Sequence, residues 1–489
     1  MSEKKKDNKT GNKDNKGVTV EKDDFSEWFT QLMIKADLAD YTKVSGCMVF
    51  KPASWAIWEN MVRLVDDGIK KLGVRNVYFP LFIPESLLTK EKEHVEGFTP
   101  EVAWVTHAGN TKLNERLAVR PTSEAIMYDS FSKWIRSWRD LPMKLNQWSN
   151  VVRWEFKHPT PFLRTREFVF NEGHTVFSNE KEAEAECDQI LGLYKEICDN
   201  YLALPSLIGK KTDKEKFAGA VYTKSMEFYM PNGKAIQGPD FHFDGQNFAR
   251  AYDIKFLDKN SKENFAWQNT WAFSTRMLGI MFAIHSDNKG LIIPPRVAQH
   301  QVVIVPIFNE DNQVQILKKA DSISKLIGQR VIVDERTGYS PGWKFNEWEL
   351  KGVPLRVEVG PKDIEKKQVV LVRRDSGKKE IVLETKLKNR VLEVLEEIQS
   401  ELYSKAEKLL KGAIAKSDKL DELKALIDKK KIVLSPLCNS RSCEEDIKLQ
   451  ISGAKVLNIP DKQPNELDKS KCILCDKKAK YFGYVGKSY

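Results

Sequence analysis

Residues 151–175 read VVRWEFKHPTPFLRTREFVFNEGHT, a stretch in which arginine and phenylalanine keep returning at even spacing. Apolar and aromatic residues on either side of Pro159 and Pro161 predict two strands joined by a loop. Side chains alternate across a strand, so residues two apart share a face. Arg153 and Glu155 then point one way on the first strand, and Arg164, Arg166, Phe168, Phe170, Glu172 and His174 line one face of the second. The opposite face, with Thr165, Glu167, Val169 and Asn171, is not cleanly apolar, so burial alone does not account for the pattern. Such a face either meets water or gathers around a ligand. Solvated faces commonly use lysine and glutamate, whereas arginine's fork pairs with phosphate oxygens two at a time and stays protonated at any working pH. A phenyl ring offers a flat surface to a base, and a guanidinium can cover the base's other side. The face suits a nucleoside triphosphate.

A second constellation lies near the C-terminus. Cys438 and Cys443 bracket NSRS, and Cys472-Ile473-Leu474-Cys475 follows. Two such pairs supply four thiolates for a tetrahedral structural zinc, although a CxxC pair by itself also serves redox chemistry. The other cysteines, Cys47, Cys187 and Cys198, are scattered and are expected as buried free thiols. This distribution argues for a reducing compartment rather than a disulfide framework.

These groups need elements to hold them. At 489 residues, 41% hydrophobic and 30% charged, the chain has room for two or three domains with cores of their own. No apolar run reaches the roughly 18 residues that span a bilayer. The lysine-rich start, residues 1–20, has no apolar h-region and reads as a disordered, solvated tail. The net charge of +10 is compatible with a polyanionic partner and does not by itself require one. Residues 180–202 carry apolar side chains at three- and four-residue spacing and predict an amphipathic helix. After GLIIPPRVAQH, whose double proline reads as a linker, apolar strands alternate with helices over 300–405, predicting an α/β unit with a largely parallel sheet. A charged helical stretch over 387–430 leads into the cysteine-bearing tail.

The order of these motifs then meets a family. Arg153-Trp154-Glu155, a short loop and Arg164-Thr165-Arg166-Glu167-Phe168 resemble motif 2 of the class II aminoacyl-tRNA synthetases. PLFIPESLL, EHVEGFTPE, LAVRPTSE, NVVRWEF, FLRTREF, EGHT, KFAGAVYT, GLIIPPRVA and NEWELKGVP follow in the order of the prolyl-tRNA synthetases of archaeal/eukaryotic-like type. The resemblance runs from about residue 24 to Tyr489. It implies an α+β catalytic domain on the antiparallel class II sheet (21–290) and an α/β anticodon-binding domain (300–405). A small zinc-binding-like α/β domain follows (410–489). It also implies ATP and L-proline as substrates, Mg2+ on the phosphates, tRNA(Pro) as acceptor, a homodimer, no membrane, and a cytoplasmic location.

Site roles follow from the same resemblance. Arg153 would hold the α-phosphate and the amino-acid carboxylate together, Glu155 would accept from the adenine amino group, and Arg164 would grip the γ-phosphate. Phe168 would stack on the base, with Thr165 beside it and Gln237 contacting ATP and magnesium. NTWAFSTRMLG resembles motif 3, with a strand ending near Phe273, a helix beginning near Ser274, and Arg276 covering the adenine from the other side. The proline pocket maps onto Thr122, Glu124, Arg153, Phe170, Glu172, His174, His242 and Ser274, and Pro80 onto the dimer interface of motif 1. Cys438, Cys443, Cys472 and Cys475 map onto the zinc-like domain.

The remaining histidines, His94, His107, His158, His285 and His300, are read as structural. Two departures stand out: Ala272 where the family often has glycine, and Asp240-Phe241 where a small hydroxyl-bearing run is usual. The interval between motifs 2 and 3 leaves no room for an editing insertion, so no cis editing is expected. Two other readings remain at this stage: a synthetase-like RNA-binding protein that does not catalyse, and a class II synthetase for threonine or serine.

Overall fold

Seven strands hydrogen-bond in the order Arg75–Asn76, Met143–Val152, Glu167–Phe177, Trp267–Ser274, Ala235–Gly245, Tyr222–Tyr229 and Leu207–Lys210. They belong to a computed structural model that describes residues 17–94, 101–155, 158–328 and 330–489, without the side chains of 90–94. Every pair is antiparallel except the first. Residues 1–16 of the expected tail lie outside the described residues, while Val18 and Val20 pack against the core.

The hairpin forms as predicted, with Met143 opposite Val176 and Val152 opposite Glu167. The ladder therefore closes one residue before Arg153, and Arg164 and Arg166 precede the second strand. Alternation holds for Phe168, Phe170, Glu172 and His174, which share a face. It fails for Arg166, because a loop residue is not bound by the pleat. The Arg166 guanidinium stacks on Trp154 at 4.6 Å and donates to the Ser45 carbonyl at 3.0 Å.

Polar residues on the sheet's other face have partners there. The Asn171 amide donates to Asn146 at 2.9 Å, and its oxygen accepts from the Phe273 N–H at 2.8 Å. Helix Glu180–Glu196 packs against the sheet through Ala183, Cys187, Ile190, Leu191 and Tyr194, the spacing that predicted it. Asn179 caps its start by accepting from the Glu182 N–H at 3.0 Å. The interval between the two motif-bearing strands is filled by this helix, three strands of the same sheet, helix Asn247–Tyr252 and the hairpin Lys255–Leu257/Glu263–Phe265.

The stretch read as a linker is not exposed. Leu291, Ile292, Ile293, Val297 and Ala298 are all buried, because their apolar side chains fill the seam between the domains. The next sheet runs Val331–Val333, Val302–Pro306, Leu355–Val359, Gln368–Arg373, Lys379–Leu383. Its first three strands are parallel and the last two antiparallel, so the sheet is mixed rather than largely parallel. The reason is chain length. A parallel return needs a dozen or more residues, and the link from Val359 to Gln368 is shorter.

Helix Leu387–Ala413 ends well before residue 430, and a second helix, Leu420–Asp428, follows a short strand. The C-terminal sheet orders as Ile414–Lys416, Ile432–Leu437, Tyr481–Lys487, Ala454–Asn458. It docks on the free edge of the catalytic sheet, where Lys210 and Ile459 exchange backbone hydrogen bonds of 2.8 and 2.7 Å. Among the described residues no helix is long and apolar enough to cross a membrane.

Candidate active site

The sheet face with Phe168, Phe170, Glu172 and His174 forms one wall of an open cavity. Thr122, Glu124, Arg153 and Thr165 join that wall, Gln237, His242 and Ser274 continue it on the adjacent strands of the same sheet, and Arg276 adds to it from the start of a helix. The cavity thus gathers nearly every residue assigned to nucleotide or amino acid from sequence. Glu155 and Arg164 are outside its lining; Glu155 is exposed in the turn beyond the ladder, and Arg164 is half-buried in the loop. Pro80 is exposed away from the cavity, and its carbonyl accepts from Arg120 at 3.3 Å.

The floor is acidic. Glu124 opens helix Glu124–Trp134, and Glu172 faces it from the strand; both are buried. The Thr122 hydroxyl donates to Glu124 and lies 3.0 Å from Glu172. Ser123 donates to Glu172 through both its hydroxyl and its N–H. Thr122 has one hydrogen for two carboxyls, so one carboxyl must itself be protonated to complete the chain. Burial and mutual repulsion push the Glu124 carboxyl up to about 7, and burial raises Glu172 as well. Asp244, buried behind them, is held well above the usual carboxylate range by burial and by Glu124.

The rim is basic. Arg153 donates from Nε to the Pro121 carbonyl at 3.1 Å and lies 5.4 Å from the Phe168 ring centre. Arg276 begins helix Arg276–His285, two residues after Ser274 where the helix was expected to begin, and donates to Leu163 and Gln237 carbonyls at 3.1 and 3.0 Å. Burial and Arg153 lower it to about 10, so it remains protonated at neutral pH. The distance between a cationic rim and an acidic floor lets one molecule carrying both charges bind across the cavity.

Both pocket histidines are neutral. Burial pushes His174 down to about 3; its Nδ1 lies 3.2 Å from the Tyr128 hydroxyl. His242, also lowered by burial, has Nδ1 2.8 Å from Thr223 Oγ1 and stacks on Phe217 at 4.6 Å. Asp240 turns into the cavity, accepting from Gln237 at 2.7 Å, while Phe241 turns into the core. A carboxyl group therefore faces the cavity at this departure, and Phe241 is not among the lining residues. Ala272 lines the wall without closing it.

Several residues escaped the sequence reading. Glu215, Phe217, Thr223, Thr270 and Trp271 line the cavity, and Arg120 is buried beneath it, donating to the carbonyls of Phe79 and Asn150. The period-two rule applied to strand Trp267–Ser274 would have put Thr270 and Ala272 on the face of Ser274. Gly173 has a packing role: an added Cβ would overlap the Trp271 indole. Gly173→Ala is expected to displace that ring and cost about 1–3 kcal/mol, read as a lowered melting temperature.

The four C-terminal cysteines converge. Their sulfurs all lie within 4.8 Å of one another, with Cys438 3.6 Å from Cys443 and 3.5 Å from Cys475. A zinc with bonds of about 2.3 Å to four thiolates needs sulfur separations of roughly 3.8 Å, so the set fits that ion. Cys187 and Cys198 are buried as expected, whereas Cys47 is half-buried.

Residues 104–285 match the family described as tRNA synthetase class II core domain (G, H, P, S and T). Residues 301–398 match the anticodon binding domain, and 420–489 match prolyl-tRNA synthetase, C-terminal. The chain is 45% identical over 483 residues to the cytoplasmic proline–tRNA ligase of Arabidopsis thaliana, covering 97% of this chain and 91% of that protein. It is 47% identical over 475 residues to proline–tRNA ligase 2 of Bacillus cereus, covering 96% and 98%. The crystal structure of prolyl-tRNA synthetase from Cryptosporidium parvum complexed with halofuginone and AMPPNP superposes with a TM-score of 0.93 at 44% identity, covering 97% of each chain.

Proposed function

The chain belongs to the prolyl-tRNA synthetase family, and from that premise we propose that its cavity activates L-proline with ATP, releasing pyrophosphate. The prolyl group then passes from the adenylate to the 3′ end of tRNA(Pro). The observation that carries this is the acidic floor under a basic rim. Glu124 and Glu172 suit the secondary ammonium of proline, and Arg153 and Arg276 suit the carboxylate and phosphates.

The ionised carboxylate of proline attacks the α-phosphorus, so no side chain need remove a proton first. Arg153 brings the two anionic reactants together, which supplies the alignment of a near-attack pair. Phe168 and Arg276 sandwich the adenine. Fixed positive charge then meets the negative charge that grows on the transferring phosphate. Gln237 would neighbour the Mg2+ carried with ATP, and that ion would supply charge that offsets the negative phosphates. Glu155 and Arg164 reach the nucleotide only if the motif 2 loop folds toward it.

In the second domain, Tyr339 is 47% exposed and stacks on Trp343 at 4.1 Å, with Arg336 over both rings. This surface suits an RNA base. Of the basic stretch 362–379, Arg373 and Arg374 are buried in ion pairs with Asp375 and Asp287, which leaves its lysines for phosphate contact. Zinc on Cys438, Cys443, Cys472 and Cys475 would fasten the C-terminal module. Free thiols and a cysteine cluster support a reducing compartment such as the cytoplasm. Exposed Tyr78 and Phe82 beside Pro80 support a homodimer through that segment, checked by sedimentation at twice the chain mass. We place no correction of mischarged tRNA in this chain; hydrolysis of alanyl-tRNA by the purified protein would overturn that.

Pyrophosphate exchange with each amino acid in turn tests the whole reading. Proline alone should support it, followed by proline transfer to tRNA(Pro). Exchange with threonine or serine would redirect the assignment, and none at all would favour a non-catalytic RNA binder. A pH dependence follows too. Glu124 is protonated in the empty pocket below about 7 and ionised above it. The substrate ammonium binds the ionised form, so the KM for proline should rise as pH falls, by about tenfold per unit well below 7. Glu172, Arg153 and Asp244 act on the same carboxyl, Arg120 acts on Glu172 beside it, and Glu124→Gln should flatten the profile.

A further inference from the structure

The segment 211–217 lies between the catalytic cavity and the C-terminal module, and both sides hold it. Thr212 is buried and donates from Oγ1 to Glu444 Oε2 at 2.7 Å. Its carbonyl accepts from the N–H groups of Glu215 and Lys216 at 3.1 and 2.9 Å, so Thr212 starts the turn that follows. Glu215, on the cavity wall, is bound by Lys455 at 2.9 Å. Asp213 accepts from the Asn439 amide at 3.2 Å.

The cavity side is equally tied. Phe217 donates its N–H to Thr223 Oγ1 at 3.0 Å, and the same hydroxyl lies 2.8 Å from His242 Nδ1. The Phe217 ring stacks on His242 with an interplanar angle of 24°. Glu444, Lys455 and Asn439 all come from the module that carries the four cysteines. Glu444 follows Cys443 directly in helix Arg441–Gln450. A side chain of the distant module is thus joined to the wall of the pocket through one short turn.

Resting on the reading of that pocket as the proline site, we propose that the C-terminal module is a positioning element for proline. Glu444, through Thr212, and Lys455, through Glu215, hold the turn so that Phe217 stays on His242. A loosened turn lets that wall move and weakens substrate binding, while Arg153 and Arg276 keep the chemistry of the bound complex.

Thr212→Val and Glu444→Ala are each expected to raise the KM for proline about tenfold in pyrophosphate exchange, as the loss of a hydrogen bond to a carboxylate does, with kcat little changed. Glu444→Gln keeps an accepting oxygen and should return KM toward the parent. The double variant should be no worse than either single, because both remove the same contact. Amide hydrogen exchange over 213–221 should quicken in both single variants, while Lys210 and Ile459 stay protected and zinc content is unaltered. A lowered melting temperature with unchanged KM and unchanged exchange over 213–221 would overturn the proposal. Absence of proline-dependent exchange in the parent would sink the functional reading instead, and the amide exchange would then decide the positioning role alone.

Discussion

Arg153→Ala is expected to lower proline-dependent pyrophosphate exchange on the order of 10³-fold, the upper range for removing one preorganised donor from a developing negative charge. Among the described residues the half-buried guanidinium makes one hydrogen bond, from Nε to the Pro121 carbonyl, and the side chain lines the cavity. Its ring partner, Phe168, is also packed against Phe170 at 5.5 Å and does not depend on it. The melting temperature should therefore stay near that of the parent protein. Arg153→Lys keeps the charge but loses the planar fork, and should recover little. Exchange within about tenfold of the parent would leave under 1.4 kcal/mol for a group assigned to both reactants, and would remove that role.

Loss of zinc is the second large effect. Four thiolates around one ion contribute an apparent 10–16 kcal/mol or so at neutral pH in small zinc modules, and that binding energy is folding energy. The module's own core is small, built around Leu423, Val433, Ile447, Val456 and Val485. Purified protein should carry one zinc per chain. A strong chelator, or Cys472→Ser, should expose residues 432–487 to proteolysis and rapid amide exchange, while strand Glu167–Phe177 keeps its protection. Metal-free protein with an equally protected C-terminal sheet would show that the sulfurs need no ion.

One wall of the site was legible because strands impose a period of two, whereas Thr122, Glu124, Gln237, His242, Ser274 and Arg276 came from the resemblance to the family. Phe168, Phe170, Glu172 and His174 share a wall for that reason alone. Arg166 was misplaced because it stands before the ladder, where pleat geometry no longer dictates direction. The buried seam at 291–298 was taken for a linker because proline marks a break in regular structure but says nothing about burial. Arg373 and Arg374 belong to a basic stretch of sequence, yet their guanidinium groups are paired with Asp375 and Asp287, which composition alone does not reveal. The roles of Glu215 and Phe217 were invisible for a different reason. Glu215 meets Lys455, 240 positions away, and Phe217 meets His242 with strand Tyr222–Tyr229 between them in sequence, and no local pattern encodes either meeting.

The occluded seam has a consequence for the acceptor. With Leu291 to Ala298 packed away and Arg374 clasping Asp287, the pocket and the exposed Tyr339–Trp343 stack stand at a set span, like the jaws of a fixed gauge. On the proposed function, a tRNA held at both places would have to match that separation by its own bend. Lengthening its helical arm by a few base pairs should spare contact at one end and forfeit the other.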